Sequence, residues 1–74
     1  MYPHEVLNDF YNDENLRVEA NKVNDEDGNF KYNRVSIEDI DKGTTVTFKG
    51  VESQFDLKMK CLNALYHQRE LFGE

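Results

Sequence analysis

The segment Asn24-Asp25-Glu26-Asp27-Gly28-Asn29 gathers three carboxylates and two amides around a glycine, which is the make-up of a calcium-binding loop. In an EF-hand the glycine stands at the sixth position, between anchoring carboxylates at the first and the twelfth. With Gly28 in that role the anchors fall on Val23 and Arg34, so both are missing and the segment reads as a solvated acidic turn. His4 and His67 each lack a second His, Cys or paired carboxylate at ligand spacing, and both are expected at the surface. Ser53 is accounted for as a helix cap and Ser36 as a strand residue, with no nucleophile elbow around either. No glycine-rich phosphate loop is present. Cys61 is the only cysteine, which rules out an internal disulfide and a thiolate cluster. Set among Met59, Leu62 and Leu65, it reads as a small buried hydrophobe. Catalysis, a metal and a cofactor are therefore not expected.

Binding chemistry remains. Five Phe and four Tyr make the chain aromatic-rich, and only at Phe30 and Tyr32, next to Lys31 and Arg34, do aromatics and bases interleave. Cross-strand packing explains such alternation before base stacking does. The net charge of -6 is concentrated in residues 1 to 30, where eight acids face two bases. Residues 31 to 74 hold seven of each. A chain that grips phosphates needs clustered Lys and Arg, so the excess reads either as charge that serves solubility or, more sharply, as an acidic surface meeting a basic patch on a partner, such as one that normally holds nucleic acid.

The elements that must carry these residues follow from the spacing. At 74 residues and 38% apolar content, the chain fits one small globular domain, residues 1 to 74. After Pro3, the residues Val6, Leu7, Phe10 and Tyr11 recur with helical period, predicting an amphipathic helix over 3–13. Leu16, Val18 and Ala20 alternate with polar neighbours, and Phe30 to Ile37 is aromatic and β-branched; the two predict a hairpin. A two-residue loop at Asp27-Gly28 would set Val18 opposite Ile37, Ala20 opposite Val35 and Val23 opposite Tyr32. Val23, Phe30 and Tyr32 then fall on the face away from the core, so the ribbon must bulge near its tip or expose an apolar patch. A second two-residue loop at Lys42-Gly43 would pair Ile37 with Phe48 and bring Val46 onto the core face. Ser53, with Asp56 three residues on, starts a helix over 54–71 that ends before Gly73. Its stripe Asp56, Lys60, Asn63, His67 and Glu70 is polar, leaving Phe55, Met59, Leu62, Leu65, Tyr66 and Phe72 to cover the sheet. The fold class is α+β: an α-β-β-β-α chain with a three-stranded antiparallel meander and both helices on one face.

The order α-β-β-β-α, Pro3 followed by Leu7-Asn8, and Gly50 followed by Ser53 before the last helix resemble the double-stranded-RNA-binding domain. That resemblance implies the same fold and RNA binding through Lys31, Arg34, Lys49, Lys58 and Lys60. The family's Lys-Lys-x-Ala-Lys run at the last helix is matched here by Lys58 alone, and its loop histidine has no counterpart.

The first reading is thus a small, acidic, non-enzymatic module that binds a protein with a basic surface and acts as inhibitor, adaptor or regulator. Accessory proteins of phages and mobile elements are commonly of this kind. The surfaces expected to carry binding are Glu5, Asp9, Asp13 and Glu14 on the first helix, and Val23, Phe30 and Tyr32 at the hairpin tip, because a contact needs an apolar centre and a charged rim. The alternative is nucleic-acid binding on the resembled fold; a third reading is self-association as a homodimer. No membrane span and no signal-peptide pattern are found, so a cytoplasmic location is expected.

Overall fold

Two short apolar periods and three alternating ones resolve into five elements in a computed structural model that describes residues 2–71. They are α1 (His4–Asp13), β1 (Leu16–Asn24), β2 (Phe30–Asp39), β3 (Thr44–Gly50) and α2 (Gln54–Leu71). The sheet is an antiparallel meander in the order β1-β2-β3. Central β2 buries Val35, Ile37 and Asp39, every second residue, as one covered sheet face requires. Over that face α2 lies on β2 and β3, with α1 packed against α2. The core joins Leu7 and Phe10 of α1, Val35 and Ile37 of β2, and Leu57, Cys61, Leu62 and Leu65 of α2. The α+β class and both helices on one face are as the spacing predicts.

The first hairpin pairs Val18 with Ile37, Ala20 with Val35 and Val23 with Tyr32, the predicted register. Its loop differs. Asp25 and Asn29 close it, Asp25 N–H donating to the Asn29 carbonyl at 2.8 Å, and Gly28 takes φ +85. The loop therefore spans Glu26, Asp27 and Gly28, a three-residue hairpin turn with glycine in the left-handed position. The extra residue is Lys31 of β2, which has no partner in β1: Val23 faces Tyr32 and the next residue, Asn24, faces Phe30. This bulge separates Phe30 from Tyr32: Phe30 now shares the side of Asn24 and Lys22, and Lys22 Nζ stands 6.0 Å from its ring centroid. Of the two alternatives that the alternation leaves open at the tip, a bulge or an exposed apolar patch, the ribbon has the bulge, and Phe30 lies apart from Val23 and Tyr32.

The second hairpin also departs from the two-residue loop. Ile37 faces Val46, and Val35 faces Phe48. Four residues, 40–43, connect the strands, with Gly43 at φ +68 donating to the Asp39 carbonyl at 2.8 Å. Asp39 Oδ1 accepts from Lys42 N at 3.3 Å, so the side chain itself shapes the turn. Sliding a pair by two residues leaves every side chain on its original face, which is why apolar patterning accepts either register.

In α2 the inward face is rotated from the predicted one. Leu57 and Cys61 are buried along with Leu62 and Leu65, while Phe55 is 53% exposed. Phe72 and Gly73 lie outside the described residues. Ser53 caps the helix as expected, its Oγ accepting from Asp56 N at 3.1 Å. Ser53→Ala is expected to lower the unfolding free energy by about 1 kcal/mol, seen as a lower thermal midpoint; an unchanged midpoint would mean that packing alone starts the helix.

Candidate functional site

Glu5, Asp9 and Asp13 stand four residues apart, so α1 carries them as one stripe, and all three are exposed. Glu14 follows where the helix stops. It is half-buried and ion-paired with Arg69 of α2. The Arg69 guanidinium also lies 5.8 Å from the centroid of the Phe10 ring. Phe10 meets Tyr66 edge-on at 5.3 Å, and Tyr66 meets Tyr2 at 4.8 Å. Between the two helices these residues shape a groove lined by Val6, Asp9, Phe10 and Asp13 on one side and Tyr66, Arg69 and Glu70 on the other, with Glu14 at one end. Glu70 is oriented by Tyr2, whose hydroxyl donates to its Oε2 at 2.6 Å; that bond and the carboxylate's charge hold the Tyr2 phenol above its ordinary pKa. Among the described residues, Glu5, Asp9 and Asp13 have no cation paired with them.

Glu5 sits one turn before Asp9 and outside the groove lining. Tyr66, expected to cover the sheet, is a groove wall instead. The groove residues that the sequence does not single out as a surface are therefore Val6, Phe10, Tyr66, Arg69 and Glu70. Glu70 was visible on the polar stripe of α2, but only the packing of α1 against α2 aligns it with Asp9 and Asp13.

The second expected surface lies at the far end of the sheet. Val23 and Tyr32 are half-buried cross-strand partners on the face that no helix covers. Lys49 Nζ stands 5.6 Å from the Tyr32 centroid. Phe30 is 45% exposed on the other side of the ribbon. Asp25 Oδ1 accepts from both Asp27 N and Asn29 N at 2.9 Å, so this carboxylate is engaged in holding the turn. β1 separates Glu14 from this tip by a strand of nine residues, roughly 30 Å at ordinary strand rise. The acidic stripe and the tip are two surfaces, and each has its own apolar component.

The bases named by the RNA-binding resemblance are dispersed. Arg34 and Lys49 pair across β2 and β3 on the bare face. Lys58 lies 4.0 Å from the Tyr11 centroid, and Lys60 is ion-paired with Glu52, whose carboxyl is held below its ordinary pKa by that bond. Cys61 is buried, with Sγ 3.4 Å from the Val35 carbonyl, and burial raises its thiol pKa. His67 is exposed, and His4 stacks on Phe55 at 5.3 Å. No group of three or more His, Cys, Asp or Glu among the described residues is placed to hold a metal ion. No helix among them is long and apolar enough to cross a membrane. Compared with known proteins, the chain matches no family model, no curated protein and no solved structure.

Proposed function

We propose that the chain is a non-enzymatic interaction module of the cytoplasm that binds a protein through a basic surface and regulates or inhibits it. The observation that carries this reading is the groove between α1 and α2, where the carboxylates of Asp9 and Asp13, with no cation paired to them among the described residues, border the aromatic pair Phe10 and Tyr66. An apolar wall with a charged rim is the composition of a contact surface, and the sign of the rim selects a cationic partner. The hairpin tip is a second contact, engaging through Val23 and Tyr32 on one side and Phe30 on the other.

Affinity capture from the native host with three baits tests both surfaces: the wild-type chain, Asp9→Asn with Asp13→Asn, and Phe30→Ala with Tyr32→Ala. Each double variant is expected to lose the protein that the wild type retains while its far-UV circular dichroism stays unchanged. Retention by both variants overturns the reading. A collapsed spectrum for Phe30→Ala with Tyr32→Ala would instead assign that pair to the fold. Labelled duplex RNA and DNA in low salt are expected to give no saturable anisotropy change; a steeply salt-dependent isotherm would favour the nucleic-acid alternative.

A further inference from the structure

The groove already shows which cation it accommodates. Arg69 lays its guanidinium beside the Phe10 ring and binds Glu14, so one end of the groove is occupied by an aromatic-plus-carboxylate clamp on a planar cation. One helical turn away the same ingredients recur with no cation paired to them among the described residues: Asp9 and Asp13, four residues apart on α1, line the groove across from the half-buried ring of Tyr66 and the carboxylate of Glu70. Side chains four residues apart on a helix are neighbours, and the planar fork of one guanidinium offers directed pairs of donors to adjacent carboxylates, a geometry that the point charge of an ammonium lacks. An aromatic face alongside adds stacking that also favours Arg over Lys.

We infer that the groove is an arginine-docking site: the partner presents a basic segment whose guanidinium is clamped by Asp9 and Asp13 against Tyr66, next to the internal Arg69. This rests on the reading of the chain as a binder of basic proteins and specifies which basic side chain it recognises. Rim electrostatics alone would draw Lys and Arg equally; the paired acceptors and the ring make the difference.

The test uses two nine-residue peptides, all-arginine and all-lysine, titrated into the isotopically labelled chain and followed by amide chemical shifts. The arginine peptide is expected to bind about fivefold more tightly than the lysine peptide, with the largest shifts at Val6, Asp9, Asp13 and Tyr66. Asp9→Asn with Asp13→Asn should weaken arginine-peptide binding about tenfold. Tyr66→Leu, which keeps every charge, should remove the preference for arginine while leaving weak binding of both peptides. Equal affinity for the two peptides, or shifts centred on Asp25 to Asp27, overturns the inference and leaves the basic-partner reading standing. Binding of neither peptide also overturns it, and the capture experiment then decides the broader reading by itself.

Discussion

Leu62→Ala is expected to cost about 2–5 kcal/mol of unfolding free energy, because the side chain is fully buried and its removal leaves a cavity beneath α2. Leu62 belongs to the one cluster in which α1, β2 and α2 meet, so the void opens where three elements are joined. A chain of this length carries a total stability of about 4–11 kcal/mol on ordinary per-residue values. One truncation therefore removes a large fraction of it. Urea unfolding followed by circular dichroism should show a lower midpoint with an unchanged slope. Leu62→Met, which preserves volume, should lose less than about 1.5 kcal/mol. A Leu62→Ala chain with a wild-type midpoint would show that α2 does not seal the sheet.

What the sequence reveals here depends on whether a feature is local. Leu7 and Phe10, three residues apart, announce α1; the alternation of Val35 and Ile37 announces β2; Ser53 announces the start of α2. Each is governed by neighbours within one turn or one strand. The second hairpin was less legible, because Ile37 opposite Val46 and Ile37 opposite Phe48 bury the same face, and only the Asp39 side chain capping the turn distinguishes them. The inward face of α2 is hard to read from the sequence for a related reason. Phe55 is more apolar than Cys61, yet Cys61 lies over the Val35 carbonyl, whereas Phe55 projects beyond the sheet to stack on His4. The candidate site is half legible in the same sense. Glu5, Asp9 and Asp13 are visible as a stripe, since a helix fixes their spacing. Their opposition to Tyr66, Arg69 and Glu70 arises from helix packing between residues about sixty positions apart, which no local pattern encodes.

Phe10 is where stability and binding converge, and Phe10→Ala is expected to be the most damaging single change at the groove, at about 3–5 kcal/mol. The ring is 5% exposed, belongs to the core with Leu7 and Leu65, and also supports Arg69 and the edge of Tyr66. Its loss removes packing from both helices at once and leaves Arg69 and Tyr66 without the surface that orients them. Phe10→Leu separates the two roles. It retains an apolar side chain, so its stability loss should stay below about 1.5 kcal/mol, yet it takes away the aromatic face beside Arg69. Thermal unfolding with and without the arginine peptide reads both effects, since a ligand that binds the folded chain raises its midpoint in proportion to affinity. The wild type should gain stability on adding peptide, and Phe10→Leu should gain less despite a similar midpoint alone. An equal gain in both would assign Phe10 to the core only and leave Tyr66 as the sole aromatic contact in the groove.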